Sequence, residues 1–97
     1  MRILALEKEV PGASGEDFRP HLRNEAARVW DLYKDGTIRE IYFRQDQTTS
    51  VIILECEDTA VAREALSTLP LVRQGLIEFE IIPLAAYTGF SRLFAEL

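Results

Sequence analysis

Acidic side chains at alternating positions are the groups in this chain best placed to do chemistry. The segments 37–44 (TIREIYFR), 50–57 (SVIILECE) and 76–84 (LIEFEIIPL) set Glu40, Glu55, Glu78 and Glu80 among large aliphatic residues. A carboxylate surrounded by apolar groups is disfavoured in its charged form. Its pKa rises toward the range in which it can take up and return a proton. Tyr42 and Arg44 follow Glu40 at the same two-residue spacing. A phenol there can donate a hydrogen bond to substrate, and a guanidinium can anchor a substrate carboxylate. The plain alternative is that these acids pair with Arg39, Arg44 or Arg73, or simply face water.

A second pair, His21 and Glu25, lies one helical turn apart and shares a helix face. It reads either as an acid/base pair at a pocket mouth or as part of a solvated face with Arg23, Asn24 and Arg28. Trp30 and Tyr33 have the spacing of aromatics that pack in a core, and they could equally line a ligand pocket between helix and sheet. Cys56 sits between two glutamates, which raise a thiol pKa and argue against a nucleophile. One cysteine and one histidine exclude an internal disulfide and a Cys/His zinc cluster, so no metal site is expected. Gly12 and Gly15 form neither a dinucleotide fingerprint nor a phosphate loop. No cofactor is expected.

The elements that must position these groups follow from periodicity. Residues 2–8 (RILALEK) read as a strand, and Pro11-Gly12 breaks the chain after it. Phe18, Leu22, Ala26, Val29 and Tyr33 recur at helical spacing, with Asp17 as the expected N-cap, Pro20 in the first turn, and Lys34 and Gly36 at the end. The stretches 37–44 and 50–57 read as strands joined by a polar turn. Asp58 or Thr59 caps a second helix with Ala62, Ala65, Leu66 and Leu69 as its buried stripe, limited by Pro70. The segment 76–84 alternates as a final strand. Residues 85–97 carry Tyr87, Phe90, Leu93 and Phe94, too many large apolar groups for a free end, so this tail is expected to dock, as a rim cover, a reach across a dimer, or a lid.

The order strand, helix, strand, strand, helix, strand suits an α+β fold of the ferredoxin-like βαββαβ type. Such a fold is a four-stranded antiparallel sheet with two helices on one face. Alternation assigns Ile41, Phe43, Ile52, Leu54, Cys56, Ile77, Phe79 and Ile81 to the helix-covered face. The opposite face then carries Ile38, Glu40, Tyr42, Arg44, Val51, Ile53, Glu55, Leu76, Glu78, Glu80 and Ile82. It is too aliphatic for open solvent and too acidic for a sealed core. A homodimer packing sheet on sheet reconciles the two.

Glu25 on the first helix, Gly36 before the second strand, Leu69-Pro70-Leu71 after the second helix, and Glu78 and Glu80 on the last strand carry a resemblance. Over roughly residues 1–84 the chain resembles the muconolactone isomerase-like family of dimeric α+β barrels. The resemblance implies a subunit that dimerises through its sheet, with higher assembly open, and binds small cyclic organic acids between sheet and helices. It implies a cofactor-independent enzyme moving a proton on a small organic acid or lactone, with a strand glutamate or Glu25 with His21 as the proton-transfer group. A non-catalytic binding or structural dimer module and a cofactor-free monooxygenase are the alternatives.

Length and charge set the outer bounds. Ninety-seven residues allow one domain over 1–97, and 47% hydrophobic residues suffice for a core. Sixteen acidic against eleven basic residues argue against binding to nucleic acid or an anionic membrane surface. No run reaches the length of a membrane span, and no signal-peptide pattern opens the chain, so a cytoplasmic location is expected.

Overall fold

The structure is a computed structural model and describes residues 1–95. Along the chain run β1 (Arg2–Glu9), α1 (Gly15–Phe18), a 3-10 turn (Arg19–His21), α2 (Leu22–Lys34), β2 (Ile38–Phe43) and β3 (Ser50–Glu55). These are followed by α3 (Thr59–Ser67), α4 (Pro70–Arg73), β4 (Ile77–Pro83) and a second 3-10 turn (Gly89–Leu93). The strands form one sheet in the order β2-β3-β1-β4, and every neighbouring pair is antiparallel. This is the ferredoxin-like α+β arrangement that the element order predicts.

The first helical region starts earlier than its apolar spacing suggests, and in two pieces. Ser14, not Asp17, is the N-cap of α1. The Asp17 carboxylate, three residues on, accepts from the Ser14 backbone N–H at 2.9 Å and from its hydroxyl at 3.1 Å, and these bonds hold its pKa below the usual carboxylate range. Pro20 cannot donate a helical hydrogen bond, so the chain passes through a 3-10 turn before α2 begins. After α2, Gly36 takes φ +87°, which is strained for any residue with a Cβ, and turns the chain into β2. Asp58 caps α3, its Oδ1 accepting from Val61 N–H at 2.9 Å. Pro70 ends that region as expected and, at the first position of α4, opens a further turn.

The core joins Ile3 and Ala5 of β1 and Ile52 and Leu54 of β3 to Leu32 of α2, to Ala62 and Leu66 of α3 and to Leu69, with Phe79 and Ile81 of β4 packed against it. One face assignment is corrected. Ile38 lies in this core, 1% exposed, and not on the outer face with Glu40. Ile38 pairs with Leu54 while Glu40 pairs with Ile53, so a bulge at Arg39 interrupts the two-residue alternation. Ile38 and Ile41 therefore both point toward the helices. A second correction concerns coverage: Ile41 and Phe43 share the helix side, yet Phe43 is 77% exposed, because α2 does not close over that end of β2.

Leu84 N–H still donates to the Arg2 carbonyl at 2.9 Å, and residues 85–95 extend away from the two layers. The Cα radius of gyration is 16.3 Å, against about 12.5 Å for a compact chain of this length. On this arm Tyr87 and Phe90 meet edge to face at 4.9 Å, while Leu93 and Phe94 are exposed.

The bulge gives a direct test. Ile38→Ala should cost about 2–5 kcal/mol in urea unfolding, the range for a large aliphatic deleted from a packed core. If the residue faced outward, the loss would stay below about 1 kcal/mol.

Candidate functional site

The uncovered end of the sheet is the floor of a cavity of about 750 Å³ between α2 and the strands β1, β2 and β3. Its helix wall comes from the spacing that marks α2 as amphipathic: Leu22, Ala26, Val29 and Tyr33, with Trp30 beside them. The apolar stripe thus serves a cavity more than a core, and Leu32, outside that stripe, is the residue α2 buries. Trp30 and Tyr33 stack with centroids 5.8 Å apart. Trp30 remains 55% exposed, so it forms cavity wall and not core. Ile41, Phe43 and Ile52 supply the sheet side, and Phe79 of β4 also contributes.

Polar groups enter this apolar space at few points. Along β1 the helix-facing positions read Ile3, Ala5, Glu7, Glu9, so the inner face turns from aliphatic to acidic where the core ends and the cavity begins. Glu7 is fixed there because Oε1 accepts from Ser50 N–H at 3.1 Å and from Ser50 Oγ at 2.8 Å. Glu25 reaches the cavity from α2. Its Oε1 accepts from the backbone N–H of Leu71 at 2.9 Å, a donor in the first turn of α4 that has no partner within that helix. No Lys, Arg or His pairs with Glu25 or Glu7 among the described residues, and none lines the cavity. Burial pushes the Glu25 pKa above its ordinary value, the Leu71 N–H draws it partly back, and the negative charge of Glu7 adds to the rise.

Of the residues singled out from sequence, Glu25, Trp30 and Tyr33 line this cavity. His21 is half-buried in the 3-10 turn before α2 and is not part of the wall. The strand acids lie elsewhere. Tyr42 donates its hydroxyl to Glu40 at 2.7 Å on the exposed side of β2, which raises the phenol pKa. Arg44 forms a two-pronged contact with Asp46, at 2.9 and 2.7 Å. Glu55 lies 2.7 Å from the amino terminus and 3.4 Å from Arg2, and the hydrogen bond from the terminal ammonium lowers its pKa. Glu80 lies 3.7 Å from Lys8, and Glu78 is exposed on β4. Cys56 is buried beneath the helices, and burial raises its thiol pKa. Sequence reasoning did not single out Glu7. The signal was present in the alternation Ile3-Ala5-Glu7, which sets it on the helix face.

Comparison with known proteins now adds the family. Residues 6–89 match muconolactone delta-isomerase. The chain belongs to that family. Among solved structures, muconolactone isomerase superposes with a TM-score of 0.75 at 14% identity, covering 91% of this chain and 92% of the other. The 5-chloro-2-hydroxyhydroquinone dehydrochlorinase of Burkholderia phenoliruptrix AC1100, solved with 2,5-dihydroxybenzoquinone, superposes with a TM-score of 0.65 at 19% identity, covering 92% and 98%. At these identities the likeness is one of fold. Comparison with curated protein sequences finds no match. Family membership supports a small-molecule enzyme, and the neighbours share its fold. No helix among the described residues is long and apolar enough to cross a membrane.

The position of Glu25 in this member of the muconolactone delta-isomerase family has a consequence for stability. The folded chain holds the Glu25 proton more tightly than the unfolded chain does. This residue therefore favours folding at acidic pH, and that contribution is lost as pH rises through its folded pKa. Glu25→Gln keeps an acceptor for Leu71 N–H and removes the buried charge. E25Q should unfold at higher urea than the parent at neutral pH, and the gap should close on acidification. A variant less stable than the parent at neutral pH would contradict the burial cost.

Proposed function

We propose that this protein catalyses cofactor-independent proton transfer on a small lactone or related ring carbonyl compound, held between α2 and the sheet, with Glu25 as the base. The observation that carries the reading is a carboxylate with no cationic partner, its pKa raised by burial, on the wall of an apolar cavity large enough for a ring. The family supports a lactone, and the neighbour solved with a dihydroxybenzoquinone supports a small ring of similar size.

The chemistry needs one group that can exist in both protonation states. The Glu25 oxygen not bound to Leu71 takes a proton from the carbon next to the lactone carbonyl, and the electron pair moves onto the carbonyl oxygen as an enolate. The same carboxyl then returns the proton to the ring carbon at the far end of the conjugated system. The product is an isomer and Glu25 is restored. The Tyr33 hydroxyl and the Trp30 indole N–H are the donors on the wall for the enolate oxygen. The Leu71 bond keeps the carboxylate oriented while leaving the other oxygen for substrate.

The working unit in this proposal is a homodimer. On the outer sheet face Leu4, Leu6, Val51, Ile53 and Ile82 form an aliphatic band across three paired strands, with Leu4 opposite both Ile53 and Ile82. Carboxylates flank the band, which fits an interface with a dry centre and a polar rim. The arm over residues 85–95 carries its aromatics away from its own layers, where a second copy could cover them.

Two experiments bear on this. α-Angelica lactone, an uncharged unsaturated lactone, should be converted to its β isomer, with E25Q slower by about 10²–10⁴-fold. Turnover by E25Q at the parent rate, or none by the parent, sinks the reading. Ile53→Lys should convert the dimer to monomer in sedimentation, through a charge placed in the centre of the aliphatic band. A dimer that survives this change must use another surface.

A further inference from the structure

Among the described residues the three carboxylates of the cavity have no cationic counterpart, and this constrains what can enter. Glu7, Glu9 and Glu25 all line it. Three cations of the adjoining recess and of α2 have partners of their own. Arg44 and Lys8 line an adjoining recess that shares Glu7, Glu9 and Thr48 with the cavity. There Arg44 is bound by both Asp46 oxygens, and Lys8 lies 3.7 Å from Glu80. Arg28, on α2, donates to Thr68 Oγ1 at 2.8 Å, away from the cavity. A ligand carboxylate would thus enter a space of its own sign without a counterion, losing its hydration against apolar walls.

Glu7 adds the positive side of the selection. Its charge acts on Glu25 from a distance, and its side chain is itself held in place by Ser50. Both of its protein hydrogen bonds fall on Oε1. Oε2 accepts none among the described residues, and a carboxylate oxygen in an apolar space is a strong acceptor for a hydroxyl. Trp30, Phe43 and Phe79 offer flat apolar surface for a ring.

We infer that the cavity selects an uncharged hydroxylated or keto-bearing ring compound and rejects carboxylates, with Glu7 as the residue that recognises the ligand hydroxyl. The inference rests on the proposed site and narrows its substrate class. Glu25 supplies the reacting oxygen; Glu7 sets which ring is admitted.

Calorimetry on the full chain with 2-naphthol and 2-naphthoate, two ligands of one ring system, tests this without turnover. The naphthol should bind at least about ten-fold more tightly. Glu7→Gln keeps the acceptor for Ser50 and loses the free one. It should weaken the naphthol, admit the naphthoate, and bring the ratio below about three-fold. Equal or tighter binding of naphthoate, no binding of either ligand, or a ratio unmoved by E7Q overturns the inference. Naphthoate preference that Arg92→Gln abolishes also overturns it, and assigns recognition to the C-terminal arm. The lactone assay with E25Q reports separately. Selectivity without an E25Q effect removes the base and leaves the ligand class; an E25Q effect without selectivity does the reverse.

Discussion

The hydrogen bond from Leu71 N–H to Glu25 ties the helical layer to the acid on the cavity wall. It joins α2 to the first turn of α4 at 2.9 Å, using a donor that a four-residue helix cannot satisfy itself. Without that donor, a carboxylate turned toward apolar walls would protonate or swing to water. With it, one oxygen is fixed on a residue that lines the cavity. The same contact restrains how closely α2 approaches the Leu69-Pro70-Leu71 segment, so the width of the cavity and the orientation of its acid are set together. Burial nonetheless outweighs the N–H, and the raised pKa is the result. The fold thus holds a group at some cost in stability at neutral pH, as is common where a protein must do work and not merely fold.

The sheet explains which residues share that space. Strand alternation made most of the architecture legible: β2, β3 and β4 fall within one or two residues of their sequence-derived limits, and Leu54, Ile52, Ala62, Leu66 and Leu69 are buried as expected. Alternation fails only where the backbone departs from it. The bulge at Arg39 moves Ile38 to the core face, and nothing in TIREIYFR announces an extra residue. On the helix, the same apolar spacing describes residues that seal a core and residues that line a cavity, because both require an apolar face. Periodicity could find Leu22, Val29 and Tyr33 but could not say that space lies in front of them.

The site was half legible for a related reason. Glu25 and Trp30 were recognisable by type and spacing, and they share the cavity. The strand acids drew attention because they interrupt aliphatic runs, yet the groups beside Glu40, Glu55 and Glu80 are a phenol, the amino terminus with Arg2, and a lysine. Glu7 sits in RILALEKE, where it reads as the polar end of a strand. Only the termination of the β1–β3 pairing at Leu6 and Val51 brings the Ser50 backbone to its side chain. A contact across 43 residues of chain leaves no local trace.

What the protomer leaves uncovered follows from its size. One short helical layer cannot cover both faces of a four-stranded sheet, and a chain of this length buries a limited share of its surface alone. The helices go to the side where Ile3, Ala5, Ile52 and Leu54 stack, and α3 with α4 takes the β4 end. Two apolar surfaces remain: the aliphatic band on the outer face, and the wall around Trp30 and Phe43. Filling the second with larger side chains would have been the simpler route to stability. Instead the sequence places Ala26 on the helix wall and carboxylates at the floor, and puts Tyr87, Phe90 and Phe94 on an arm that its own layers do not bury. Small residues and acids at one end, and unused aromatics at the other, are what a chain needs if the cavity is to stay open to a ligand and be covered from outside.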